Sequence, residues 1–307
     1  MTAIVLPAPL QRRVEVVVRA MLEPAGLPAD LFASPRGEPA LSAPDSLAWQ
    51  LFKNPAALFI GGVAAVLLEL AEPRVRTGVW EHTRFREQPV QRLQRTGLAA
   101  MLTVYGPRSR TEAMIAAVSR RHMAIAGSTP TGEAYRASDP ELLEWVHATA
   151  SFGIVEATHA YVRPLSVAER DRYFFESRTA ARLYGAPGVP ASQAELDALL
   201  AAMAPRLEGS ATVFEFLHIL ARAPALPAPL RPLQGLLVRA GVEIVPGWLR
   251  ERLGLGTRWG LRPWERGLVI LLARGADRVL LRSSPPVQAC RRLGLPDDYL
   301  YSRPPRP

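Results

Sequence analysis

Pro55-Ala-Ala-Leu-Phe-Ile60-Gly-Gly-Val-Ala-Ala65-Val-Leu-Leu-Glu69 is the stretch whose reading decides the fold. From Ala56 to Leu68 the apolar residues run all the way round a helix instead of along one stripe, which predicts a buried central helix. The run is much shorter than the roughly 20 residues a membrane-spanning helix needs. Pro55 and Pro73 bracket it, since proline suits a first helical turn and stops a helix elsewhere. A helix buried on every side must be wrapped by other elements, and the flanking sequence supplies helices. One begins near Pro89, carries Leu93, Gly97, Ala100, Met101 and Val104 on one face, and ends at Tyr105-Gly106-Pro107. The next runs from about Ser109 to Ala126, with Met114, Ile115, Val118, His122 and Ile125 on one face and Gly127 as the C′ residue.

Residues 128–138 read as a loop. Asp139-Pro-Glu then opens a long helix to about Val162, and Ser166-Val-Ala-Glu169 is a capping box for a helix ending at Tyr184-Gly185. Further helices are predicted at about 192–202, 231–241, 246–253 and 262–273, with a proline-rich connector at 221–232. Short strand-like runs occur near Val242–Val245 and Val279–Leu281. The first 45 residues are rich in proline and glycine, with an amphipathic helix around Arg13 to Leu22, and the tail from Ser302 reads as disordered. The expectation is an all-α protein: an N-terminal arm over residues 1–45 and a single helical domain over 46–305, with extra peripheral helices after about residue 205.

Composition agrees. The 307 residues are 49% apolar and 21% charged, ordinary for a globular chain, and only 7% aromatic. The one cysteine, Cys290, excludes an intrachain disulfide and the spacings of a zinc site. No charged segment followed by an apolar one marks the N-terminus as secretory, so a cytoplasmic location is expected. Net charge is +9, and all but one of the 37 basic residues are arginine; Lys53 is the exception. The arginines are scattered without a basic block, so no nucleic-acid partner is expected. Walker, Gly-x-Gly-x-x-Gly, Gly-x-Ser-x-Gly and His-Glu-x-x-His motifs are absent, as is the Glu-x-x-His pattern of di-iron bundles.

The chemistry-bearing residues cluster between Glu81 and His147. Arg92 and Thr96, four apart, share a helix flank and combine a fixed cation with a small hydroxyl. His122 follows in the last turn of the next helix. Two helices so equipped can hold a flat anionic cofactor such as haem, whose carboxylates suit arginine forks. The same residues also read as a solvated helix face, with His122 a hydrogen-bonded core histidine. His147, on the long helix with Leu143, Ala150 and Ile154, can ligate a metal or brace a ligand. His82 reads as a brace for the following helix and His218 as packing, while His159 lies near the far end of the long helix.

The ordered succession Trp80-Glu-His82-Thr-Arg-Phe85, Arg92-Leu-Gln-Arg95-Thr96, His122…Gly127, Tyr135-Arg-Ala-Ser-Asp139-Pro, Trp145-Val-His147-Ala-Thr149 and Pro164-Leu-Ser166 resembles the oxygenase family named for MpaB, which includes the latex-clearing proteins or rubber oxygenases. The resemblance covers about residues 50 to 300 and is dense between 55 and 185. It implies a globin-like helical core, haem b as cofactor, and oxidative cleavage of carbon–carbon double bonds with dioxygen. It places the axial ligand on His122, with His147 as the alternative, and the catalytic pair on Arg92 and Thr96. In the latex-clearing branch a lysine that can approach the iron stands just before the threonine. Here that residue is Arg95, and a guanidinium has no lone pair to offer. The implied partners are a small hydrophobic alkene or prenyl-type substrate and dioxygen. Two other classes compete on the residues alone: a non-catalytic haem- or lipid-binding helical module, and an arginine-rich scaffold for an acidic partner.

Overall fold

The structure, a computed structural model, describes residues 3–22, 28, 30–226 and 228–302. Its helices are α1 Ala8–Leu22, α2 Leu47–Leu51, α3 Pro55–Ala71, α4 Pro73–His82, α5 Pro89–Tyr105, α6 Arg108–Met123, α7 Pro140–Ala157, α8 Val167–Leu183, α9 Gln193–Met203, α10 Ala211–Arg222, α11 Arg231–Glu243, α12 Gly247–Arg252, α13 Pro263–Arg278, α14 Pro285–Arg292 and α15 Tyr299–Ser302. Four short strands complete it. β1 (Ile4–Val5) pairs in parallel with β4 (Val279–Leu280), and β2 (Ala126–Ser128) forms an antiparallel hairpin with β3 (Ala134–Arg136). The expected all-α class is therefore the observed one.

α3 is the central helix, as its sequence predicts. Asn54 caps it, its side chain accepting from the amides of Ala56 and Ala57 at 3.0 Å, and Pro55 fills the first position. Ile60, Ala64, Leu67, Leu68, Leu70 and Ala71 are fully enclosed. α7 runs antiparallel across α3 at very short range. A Cβ on Gly61 would lie 2.6 Å from the backbone carbonyl carbon of Gly153, and one on Gly153 would overlap the carbonyl oxygen of Gly61. Two turns further along, the Trp145 indole donates to the carbonyl of Leu68 at 3.3 Å. The neighbouring Gly62 is the opposite case: it is exposed, with nothing within 4 Å of the space a Cβ would take. Gly61→Ala should accordingly lower stability by about 1–3 kcal/mol, because two helix backbones must separate. Gly62→Ala should raise it by up to about 1 kcal/mol through helix propensity. Thermal unfolding of the two variants side by side checks the opposite signs.

Four local expectations are corrected. Pro73 does not simply stop a helix. Glu72 caps a new one, α4, accepting from the amide of Val75 at 2.8 Å while Pro73 takes its first position. Gly127 is not a helix C′ residue and has no positive φ. α6 ends at Met123, and Gly127 lies in β2 opposite Tyr135, whose hydroxyl would be 2.8 Å from a Cβ there. The segment 128–138 thus contains a strand. Val242 lies in the last turn of α11 instead of starting a strand, whereas the run at Val279 is one. Helices α2, α4, α10, α14 and α15 add to those expected. The tail beyond Ser302, and residues 1–2, 23–27 and 29 of the N-terminal arm, lie outside the described residues; Ser302 itself closes α15.

An ionic cluster, buried at Glu72 and Arg74 and open at its outer carboxylates, ties these parts together. Glu72, fully enclosed, accepts from Arg74 at 2.8 Å; Arg74 also reaches Glu141 on α7 at 2.9 Å. Arg206 bridges Glu141 and, in the β2–β3 hairpin, Glu133 at 2.8 Å. The sole lysine is used internally as well. Lys53 lies 2.7 Å from both the carboxylate and the carbonyl oxygen of Asp277 and sits over the Tyr301 ring, with its side chain 6% exposed. Among the described residues no single helix is long and apolar enough to cross a membrane. α3 and α4 reach that composition only jointly, across a bend of 107°.

Candidate active site

Successive helix residues turn by 100°. With α3 and α7 antiparallel and touching at Gly61 and Gly153, Gly62, Val66 and Glu69 of α3 emerge on the same side of the pair as Leu143, His147 and Ala150 of α7. The exposure pattern follows this geometry. α3 and α7 are otherwise largely buried, yet Gly62 and Ala150 are exposed and Val66, Glu69, Leu143 and His147 are only half-buried. α5 and the end of α6 stand over this side. Arg92 of α5 is near enough to Glu69 and to His122 to act electrostatically on both.

The sequence places Arg92 and Thr96 on one flank, and the structure brings them into contact. The Arg92 guanidinium donates to the Thr96 hydroxyl oxygen, and that hydroxyl donates to the Arg92 carbonyl at 3.0 Å. Thr96 is exposed, and its proton is committed to its own helix. Arg92 is half-buried, with its pKa below the usual value through loss of water, against the opposing pull of Glu69. His122 joins them from the last turn of α6. Burial first, then the positive charge of Arg92, holds its pKa below the ordinary histidine value. Arg95 is exposed and points to the outer side of α5, where it borders an open groove of about 620 Å³ that also includes Pro89, Val90 and Pro224.

His147 behaves differently from every other histidine. Its Nε2 is buried and makes no hydrogen bond. Burial alone lowers its pKa to about 4, so the ring is neutral near pH 7. A buried nitrogen without a partner is costly, on the order of 1–3 kcal/mol, and points to a group that would satisfy it. The remaining histidines stand apart. His82 is exposed at the end of α4, His159 is exposed and accepts from the Leu165 amide at 3.0 Å, and His218 lies edge-on to Trp259 at 5.3 Å.

The residue that sequence reasoning missed is Glu69. Read as the end of an apolar run, it is in fact inside α3, seven positions after Gly62 on the same stripe. Burial raises its carboxyl to about 7, against the lowering effect of Arg92. The signal was present in the sequence as a lone acid within thirteen apolar positions of helix. A carboxyl whose folded pKa lies above its unfolded value binds more protons in the folded state, so stability falls as pH rises between the two values. Relative to Glu69→Gln, the parent should lose about 1.4 kcal/mol per pH unit between about pH 5 and 7, and change no further above that. Unfolding midpoints of both proteins across that range measure it.

The helices and this cluster define an all-α protein with a polar group of three, Glu69, Arg92 and His122, at the rim of an apolar helix face. Residues 49–280 match the family model described as ER-bound oxygenase mpaB/B'/Rubber oxygenase, catalytic domain, and the chain belongs to that family. Comparison with curated proteins and with solved structures gave no match. The chain thus carries an oxygenase catalytic domain, an oxidoreductase whose partners are a small-molecule substrate and oxygen.

Proposed function

We propose that the protein is a haem b-dependent oxygenase acting with dioxygen on an alkene or prenyl-type hydrophobic substrate, its cofactor held in the globin manner between helices. The observation that carries this is the buried, unpartnered, neutral Nε2 of His147, on a helix face that is open where the rest of the helix is packed. An imidazole nitrogen of that kind is a donor suited to iron. In this reading His122 would hold the iron, as the resemblance implies. His147, with its orphaned nitrogen, is the alternative ligand.

Haem supplies the redox chemistry and the activation of dioxygen. The chain's own groups supply the rest. Both histidines are held neutral, so a lone pair is available near pH 7 without first removing a proton. Arg92 places a fixed positive charge beside the site, where negative charge developing on oxygen is stabilised without reorganisation. Thr96 holds the Arg92 fork in place through its oxygen. Glu69, with its pKa near 7, can hold or release a proton beside Arg92 at working pH. Half-buried Val66, on the same side of the α3–α7 pair as His147, gives an apolar surface that favours an alkene over water. A cytoplasmic location belongs to the same proposal and rests on the lone, buried cysteine, Cys290.

An absorbance scan of protein purified from haem-sufficient cells tests this. A stoichiometric Soret band is expected, followed by oxygen-dependent loss of an alkene substrate. Absence of the band after reconstitution with haem would overturn the cofactor, and a band without turnover would leave a non-catalytic haem protein.

A further inference from the structure

Gly62 is the anomaly of α3. Every other position in the middle of that helix meets neighbouring protein, whereas Gly62 is exposed and a Cβ there would meet nothing within 4 Å. Its neighbour Gly61 is explained by the contact with Gly153, but no helix crossing explains Gly62. On the facing helix, Ala150 is exposed in the same way, on the same side of the α3–α7 pair. The two lie close together because the register set by Gly61–Gly153 and Leu68–Trp145 puts residue 62 alongside the 150–152 turn of α7. Flanking them are Val66 and the orphaned Nε2 of His147. The result is a pair of exposed small residues, one on each helix, one helix turn from an unsatisfied nitrogen.

We infer that Gly62 and Ala150 form the floor on which a flat, apolar-faced macrocycle lies, with His147 at its edge and Arg92 and His122 above it. The inference rests on the proposed haem function and adds to it the surface that receives the ring. Steric economy explains the residue types. A planar ring gains dispersion contacts only where the surface beneath it is level at van der Waals distance, and one branched side chain would lift it off. Glycine within a helix is unfavourable by about 1 kcal/mol relative to alanine. Clearance for a ligand is the compensating use for Gly62, just as backbone contact is for Gly61.

Gly62→Leu and Ala150→Leu, one on each helix, test the floor with two probes: haem, and iron-free protoporphyrin IX followed by its fluorescence. Because both side chains would enter open space, neither variant should unfold at a lower temperature than the parent. Each should weaken uptake of both probes by at least about tenfold. His122→Ala, by contrast, should weaken haem far more than the iron-free ring. Parent-like binding of both probes by stable leucine variants would overturn the floor, as would loss of thermal stability in both, since the new side chains would then be entering packed protein. A parent protein that takes up the iron-free ring but not haem would overturn the iron ligation and leave the floor standing. One that takes up neither would overturn both.

Discussion

His122→Ala should strip the protein of most of its haem while leaving its helix content unchanged. The substitution removes an iron–nitrogen bond that the adjacent Met123 cannot replace, because it projects about 100° further round the helix. His122 is half-buried near the end of α6 and supports no hydrogen bond through its ring among the described residues, so the fold has little to lose. His147→Ala should retain haem but alter the position of its absorbance bands, since a neutral nitrogen facing the cofactor is lost. His218→Ala, remote and exposed against Trp259, should match the parent. Haem content per chain, from pyridine haemochrome absorbance, decides among these. If His147→Ala loses the haem and His122→Ala keeps it, the ligand is His147.

The second large effect falls on turnover. Arg92→Ala should lower activity per bound haem by roughly tenfold to a thousandfold, the range for loss of one preorganised charge-stabilising donor. Thr96→Val should lower it less, because the Thr96 proton is bonded to the Arg92 carbonyl and its part is to steady the guanidinium. Arg92→Ala has two further consequences. Glu69 loses the positive charge that lowers its pKa, and His122 loses the one that lowers its own. The pH profile of the remaining activity should therefore move to higher pH. Were Arg92 chiefly a propionate anchor, haem would be lost in step with activity, and activity per haem would stay constant. Arg92→Lys separates the two roles, keeping the charge without the fork.

The sequence was most legible where local chemistry acts alone. Ser166…Glu169 and Tyr184-Gly185 are caps whose partners are local, and each does what its pattern predicts. Legibility failed where one residue serves two elements. Pro73 reads as a stop because proline cannot continue α3, yet the turn made by Glu72 lets it open α4. Gly127 reads as a helix end by type, but its smallness serves the Tyr135 ring across the hairpin, a contact no local pattern encodes. Among the candidate site residues, Arg92, Thr96 and His122 come together as their spacing implies. Glu69 was hidden because hydrophobic periodicity treats a single acid as a boundary, whereas a helix with one open side can bury its backbone and still present a carboxyl there. The orphaned state of His147 needed three dimensions, since it depends on what does not approach the ring.

The use of the one lysine has a practical side. Apart from the chain's α-amine, the only primary amine is the Lys53 Nζ, gripped by Asp277 beneath Tyr301. Burial also lowers its pKa, but an amine bonded on two sides and closed off from solvent cannot meet a reagent. Acylating or cross-linking chemistry aimed at lysine therefore finds no internal target in the folded molecule. Acylation at position 53 becomes a clock for the opening of the α3–α13 junction. With that junction closed, Lys53 is also shut off from surface immobilisation or fluorescent tagging through amines.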